Sequence, residues 1–363
     1  MITNIGAHYR LPIFSMMGER LGVDFYLGDK VSTPLKTFDY TSLKGYRRTL
    51  HNVYIGPFYW QRQSVRLIFR PYRYYIVDGE PYCLSSWAQL LMAKLTGKRL
   101  IAWTHGWYGR EGLVKRIIKK AFFALHYRLM VYSDYAIHLM EKEGFAREKM
   151  LCIANSMDTD HEKEIRSRLH PTTIYKDHFG NDDPVIIYCG RIQAIKRLEL
   201  LVDAAGILAA KGTHVNLVFV GKDIDGVNID RYAADHGLSD RIWMYGPCYD
   251  DEQLAELFYN AAVCVSPGHV GLTAIHALSF GCPVITHDDF CHQAPEFEAI
   301  RPGVTGDFFR CGDVDDLAEK TGRWITADAA EREKTRMAAY AEIDSKWNIH
   351  YQIEIIKQAT HEG

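Results

Sequence analysis

The chain has 363 residues, 47% hydrophobic and 24% charged. That excludes a disordered tail, a collagen and a small disulfide-stapled knot, and it favours two domains over a single core. The formal net charge of −2 excludes a polycation built for nucleic acid, but the balance is uneven: residues 1–170 carry 26 basic and 15 acidic side chains (+11), the remainder 17 and 30 (−13).

In chain order, the first half offers strand candidates at MITNIG, VDFYLG, YYIVDG (74–79), RLIAWTH (99–105), RLMVYSD (128–134) and MLCIANS (150–156), with the helical pattern SWAQLLMAKLTGK among them. The run PFYWQRQSVRLIFRPYRYY (57–75) reads as an arginine-rich surface over a half-buried strand, or as a place to receive acceptor sugar or lipid phosphate. In GLVKRIIKKAFFALHYR (112–128), Lys115, Arg116, Lys119 and Lys120 recur at helical spacing opposite Ile117, Ile118, Ala121 and Phe122. The favoured expectation turns that apolar face to the core; the other lays the helix on an anionic membrane. HPTTIYKDHFGNDDP is polar, holds two prolines and has no period, so the domain junction is expected there.

The second half alternates strands and helices: PVIIYCG, RLELLVDAAGILAAKG, HVNLVFVG, RYAADHG, IWMYG, DEQLAELFYNA, VCVSPG, LTAIHALSFG, PVITH, DFF and DVDDLAEKTGRWI. Its strands are continuous apolar runs, as expected when helices cover both faces of a parallel sheet. The expected fold is α/β, two Rossmann-like doubly wound parallel-sheet domains facing an interdomain cleft. Domain one spans 1–169, a linker 170–183, domain two 184–340, and a helix within 341–363 returns to the first domain. Ligands in such sheets bind at the carboxyl ends of strands.

Two clusters follow strands. Gly190 and Arg191, with Lys196 and Arg197 close behind, put fixed cations beside a helix start, a seat for phosphate or simply solvated basic residues. Ser266-Pro267-Gly268-His269-Val270-Gly271-Leu272-Thr273 runs from strand into helix; its glycines allow close backbone approach and its helix entry supplies unpaired N–H groups. His276 on that helix is a core residue or a ligand contact. The loop is not GxGxxG, which argues against a nicotinamide dinucleotide. HDDFCH (287–292) matches no familiar zinc spacing, and the aspartates of DID (223–225) and DVDD (313–316) read as a loop and a helix cap. The eight cysteines include no CxxC pair, no window is apolar enough to span a bilayer, and the start has no leader pattern. A cytoplasmic chain, peripheral on the inner membrane face through its basic first domain, is the expectation.

The order GRIQAIKRLELLVDAA, FVGKD, YGPCYD, CVSPGHVGLTAIHALSFGCPVITH, APEFEAI and GVTGDFF resembles the donor domain of family 4 glycosyltransferases across about 184–325. The first domain is similar more loosely, through THG (104–106) and NSMD (155–158), and NIGAHYRLPIF is similar to a bacterial branch that builds surface polysaccharides. The resemblance implies the GT-B fold and metal-free transfer, with retention of configuration, of a sugar from a nucleotide carrier to a glycan or lipid-linked acceptor. It implies that Arg191 and Lys196 grip the diphosphate; that Gly6, Gly190, His269, Gly271, Leu272 and Thr273 approach the phosphates; that Gly246 and Pro247 edge the base; and that His105 faces the donor sugar. The family's two glutamates fall on Gly268 and His276, and Glu296 is a substitute candidate. With the departing phosphate taking the acceptor proton, no enzymic nucleophile is needed; an inverting enzyme would instead need His105 or Glu111 as base. An epimerase or hydrolase on the same fold, or a non-catalytic nucleotide-sugar binder, are the alternatives.

Overall fold

A computed structural model describes residues 1–32 and 35–361. The chain divides into two compact units, residues 1–158 with the stretch from Asn348 onward, and residues 159–347.

In the first unit, strands β1 (Ile2–Thr3), β2 (Phe25–Gly28), β3 (Tyr46–Leu50), β6 (Tyr74–Asp78), β7 (Arg99–Thr104), β8 (Arg128–Val131) and β9 (Met150–Cys152) form a parallel sheet in the order β3-β2-β1-β6-β7-β8-β9. Strands β4 (Asn52–Ile55) and β5 (Phe58–Gln61) make a separate antiparallel hairpin. Alternation along β7 shows why both faces are apolar. Leu100 and Ala102 join Leu90, Ala93 and Phe122 on one side, the side of helices α2 (Leu84–Thr96), α3 (Leu113–Ala124) and α4 (Asp134–Lys142). Ile101 and Trp103 join Phe14 and Met17 of α1 (Leu11–Arg20) on the other.

The second unit has strands β10 (Val185–Cys189), β11 (Asn216–Val220), β12 (Ile242–Gly246), β13 (Val263–Ser266), β14 (Val284–His287) and β15 (Gly306–Phe309), all parallel, in the order β12-β11-β10-β13-β14-β15. Helices α5 (Thr159–Arg166), α6 (Ile174–Phe179), α7 (Glu199–Ala210), α8 (Ile229–Asp235), α9 (Asp251–Asn260), α10 (Leu272–Ser279), α11 (Val314–Ile325) and α12 (Ala329–Ser345) cover it. The final helix, α13 (Ile349–Thr360), packs with α1, β8 and β9 through Ile349, Ile353 and Ile356 and so belongs to the first unit.

The order reverses at one place in each sheet, between β1 and β6 and between β10 and β13. At such switch points the two neighbouring connections leave on opposite faces and open a crevice beyond the strand ends.

Three expectations differ from what the structure shows. The stretch 170–183 carries α6: the Tyr175 ring is buried, its hydroxyl donates to the Leu257 carbonyl at 2.6 Å, and His178 stacks on Trp243 at 3.9 Å. These aromatic contacts hold the segment in the second unit, and the unit boundaries fall instead at 158/159 and 347/348. Residues 57–75 form not one strand but β5, a short 3-10 turn over Val65–Phe69, and the start of β6.

The third concerns α3. Only Phe122, Phe123 and Lys119 of that helix are buried, whereas Leu113, Val114, Ile117 and Ile118 are 72%, 71%, 59% and 43% exposed. The reason is an internal ion pair: Lys119 Nζ lies 2.6 Å from Glu111 and 4.7 Å from the Trp107 ring centroid, so a lysine takes the inward face. Burial lowers the pKa of Lys119, with Glu111 opposing.

Candidate functional site

At the switch point of the second unit, β10 ends in Cys189 and the chain turns through Gly190, whose φ of 145° favours glycine. Arg191 follows, exposed. A 3-10 turn, Ala194–Lys196, then carries Lys196 across to the loop after β13, where its Nζ donates to the His269 carbonyl at 2.7 Å and lies 3.2 Å from His269 Nε2. Burial, and then the charge of Arg191, push Lys196 down to about 8, with Glu296 opposing. Among the described residues, no carboxylate lies within ion-pair distance of Arg191 or Lys196. Two neighbouring cations, one half-buried, thus stand together with no carboxylate in ion-pair contact, the buried Glu296 reaching Lys196 only through its charge. Such an arrangement stabilises an anion that enters from outside.

Opposite them, Gly271 caps α10 with no side-chain hydrogen bond, so the first N–H groups of that helix have no side chain serving them. Thr273 donates instead to the Cys189 carbonyl at 3.0 Å, tying the helix start to the end of β10. Gly268 is a steric requirement. A Cβ there would lie 2.4 Å from the Ile195 carbonyl oxygen and 2.7 Å from Lys196 Cα, and its N–H donates to the Lys196 carbonyl at 2.8 Å. Two residues invisible in the sequence pattern hold the loop: Gln293 Oε1 accepts from the Val270 N–H at 2.8 Å, and Thr286 Oγ1 donates to the carbonyls of Ser266 and Gly268 at 2.9 and 3.0 Å.

The structure therefore brings together Gly190, Arg191, Lys196, Gly268, His269, Gly271, Leu272 and Thr273. Glu296 is buried in the short turn Pro295–Ala299 and acts on Lys196 through its charge. Gly246 ends β12 at φ 86° with open space around it, followed by the exposed Pro247. His276 is not brought to the loop. It is 7% exposed, packs on Phe258 and Phe280, and its Nε2 sits 3.6 Å from Glu162. Burial pushes its pKa down to about 4.

The switch point of the first unit has a different chemistry. Asp78 ends β6, and both its oxygens lie 2.8 Å from the Thr3 hydroxyl, while the Asn4 N–H also donates to it. Burial, then Glu80, push Asp78 up to about 7. Glu80 is also raised by burial; Tyr59 Oη lies 3.3 Å from it and Asn4 Nδ2 3.4 Å. Gly6 donates its N–H to the Tyr40 hydroxyl at 2.9 Å, and a Cβ there would lie 2.6 Å from that ring. His105, just past β7, has its ring 4.7 Å from that of Tyr132. The residue is exposed, yet nearby protein atoms, then the charges of Arg10 and Lys119, lower its pKa, which keeps the imidazole mostly neutral near pH 7. Arg10 acts on His105, Asp78 and Glu80 alike, its guanidinium over the Trp103 ring and bonded to the Tyr132 hydroxyl. Glu111 is held below the usual range despite burial, by Lys119 and by the Tyr108 N–H. Arg10, Asp78 and Glu80 escaped the sequence reading; the acidic end of YYIVDGE was the signal that could have found them.

Residues 172–342 match the family described as Glycosyl transferases group 1. EpsD of Bacillus subtilis, named as a glycosyltransferase, is 23% identical over 303 residues, covering 79% of this chain and 73% of its own length. The lipopolysaccharide 1,6-galactosyltransferase of Salmonella typhimurium is 24% identical over 210 residues, 56% of this chain and 55% of that protein. Among solved structures, Anabaena HepE in complex with UDP superposes with a TM-score of 0.73 at 14% identity, covering 98% of each chain. The lipopolysaccharide outer core galactosyltransferase WaaB, in its apo form, gives a TM-score of 0.70 at 16% identity over 99% of this chain and 98% of that one. At those identities the likeness is one of fold.

Proposed function

We propose that this chain, whose residues 172–342 match the Glycosyl transferases group 1 family and whose fold is the GT-B fold, is a glycosyltransferase that moves a sugar from a nucleotide diphosphate to a glycan or lipid-linked acceptor in the building of a bacterial polysaccharide. The observation that carries this reading is the pair Arg191 and Lys196, with no carboxylate in ion-pair contact among the described residues, at the switch point of the second unit. As the glycosidic bond breaks, the sugar becomes oxocarbenium-like and the diphosphate gains negative charge. Fixed cations and the α10 N–H groups stabilise that anion in place, with no reorganisation at the moment of reaction. Arg191 suits it through its planar fork, Lys196 as a point charge.

In this reading the transfer uses no metal and retains configuration. The leaving phosphate accepts the acceptor proton as the acceptor oxygen bonds to the anomeric carbon on the same face, so Gly268, which has no side chain, removes no required group. Gly246 and Pro247 edge the base, and the second unit holds the donor. The first unit receives the acceptor, while His105 offers a hydrogen bond to a hydroxyl of the donor sugar. HepE has been captured with UDP and with UDP-glucose, which supports uridine diphosphate sugars as the first donors to try. The test is incubation of the purified chain with a panel of nucleotide sugars and membrane extract. Labelled sugar on lipid or glycan is expected; free sugar alone, an isomerised donor, or binding without turnover would overturn the reading.

The exposed side chains of α3 support a peripheral membrane contact. Leu113, Val114, Ile117 and Ile118 stand out of the core among Lys115, Arg116 and Lys120, and α2, whose Trp87 ring packs 5.1 Å from that of Phe122, adds exposed Leu91 and Leu95. Apolar side chains ringed by cations suit an anionic leaflet. No helix among the described residues is long and apolar enough to cross a membrane. Flotation with phosphatidylglycerol vesicles, but not with phosphatidylcholine ones, is expected, and Leu113→Glu with Ile117→Glu should abolish it.

A further inference from the structure

We propose that Asp289, Cys291 and His292 form a binding site for a thiophilic divalent cation of the zinc class, standing apart from the transfer chemistry. The spacing of these residues gave no reason to expect one. The turn does. Phe290–His292 is a single 3-10 turn after β14, and it folds the three side chains back on one another. Cys291 Sγ donates to one Asp289 oxygen at 3.0 Å and lies 3.2 Å from His292 Nδ1, which in turn lies 2.7 Å from the other Asp289 oxygen. All three ligand atoms fall within 4.8 Å of one another.

Zinc sits about 2.0–2.3 Å from such nitrogen, oxygen and sulfur donors. Tetrahedral ligand atoms then stand roughly 3.3–3.7 Å apart by the same geometry. The observed separations need widening by only about half an ångström, within the reach of side-chain rotation. The proton balance is simple. The Cys291 thiol gives one proton to solvent, the His292 proton moves from Nδ1 to Nε2, and the cation takes the place of both hydrogen bonds. Carboxylate, thiolate and neutral imidazole together cancel the charge of a divalent ion. The thiolate selects zinc or cobalt over magnesium.

Access and rigidity both favour the site. Half of the His292 side chain is exposed, which leaves an entry path and a fourth position for water. The next residue, Gln293, is buried and fixed by the Thr286 hydroxyl and the His287 carbonyl, both at 2.9 Å, so the turn is held from its inner side. Through the Gln293 contact with Val270, a bound ion would brace the loop that carries Gly268 and Gly271.

The test is titration of the full chain, kept reduced, with Co²⁺, reading the thiolate-to-cobalt charge-transfer band. One saturable equivalent, displaced by Zn²⁺ and untouched by excess Mg²⁺, is expected. Cys291→Ser should remove the band and His292→Asn should weaken binding by more than ~10-fold, the loss seen even for groups that merely support a ligand. Cys311→Ser, at an exposed cysteine whose N–H bonds Asp288, should keep it. Circular dichroism and melting temperature confirm that each variant folds. Absence of saturable binding, or a band that survives Cys291→Ser, overturns the proposal. None of these outcomes depends on sugar transfer.

Discussion

The two switch points invert the charge of the halves that carry them. The acidic half of the sequence places Arg191 and Lys196, with no carboxylate in ion-pair contact among the described residues, beyond β10 and β13. The basic half places Asp78 and Glu80 at the end of β6, with the charge of Arg10 acting on both and on His105. Net charge describes the solvated surface, where most charges stand apart or pair off; the sign of a site is set by the few groups that the topology brings to one crevice. The comparison also separates two kinds of ligand. A cationic crevice with free helix N–H groups suits a diphosphate, and an acid-lined one that accepts hydrogen bonds suits hydroxyls.

The sharpest way to break that contrast is to remove a cation. Arg191→Ala and Lys196→Ala should each lower kcat by about 10²–10³, or ~3–4 kcal/mol of transition-state stabilisation, measured with whichever donor the panel identifies. Near-normal turnover in both would leave the cationic crevice without a role.

Next in size is Gly268→Glu. The added side chain collides with backbone at 2.4 Å, an overpacking cost of about 1–3 kcal/mol. Donor affinity should fall about tenfold by that cost, with a lower melting temperature. A variant that binds more tightly would show that the loop opens to admit a carboxylate.

His276→Ala should lower stability by about 1–3 kcal/mol as a core truncation, while donor affinity stays within about twofold by the same account. Unchanged melting with weakened binding would return His276 to the donor loop.

The pH dependences are smaller and read out on different properties. Lys196 carries its proton below about 8, so donor affinity should decline as pH rises through and above that value, and Lys196→Arg should flatten the profile. Asp78, raised from 3.8 to about 7, acts on stability instead. The folded state holds this proton between pH 4 and 7 and the unfolded state does not, so this group's effect is to reduce stability as pH rises across that window and to keep it reduced above. Denaturation at pH 5 and pH 8 should show the difference shrinking in Asp78→Asn.

Strands were the most legible part of the chain. VIIYC, NLVFV and VCVS are buried on both faces, so each is a local, unbroken apolar run that needs no partner to be recognised. Edge and hairpin strands were not legible: β3, YRRTL, exposes three of its five residues and carries no such pattern. Lys196 and Gly271 were readable because each lies in the short loop that links a strand to the next helix. The amino-acid sequence by itself determined the α/β alternation, the glycines at tight turns and the cations after β10, since each depends on neighbours a few residues away. Only the tertiary structure decided that Gly268 has no room for a side chain, that Lys119 rather than Ile117 faces inward, that Asp78 stands beside Thr3 and that Gln293 holds Val270. The Asp78 and Gln293 contacts join pairs 75 and 23 residues apart, which leave no local trace of the choice of neighbours, and the Lys119 pair, though only eight residues apart, depends on a loop turning Glu111 back onto its helix.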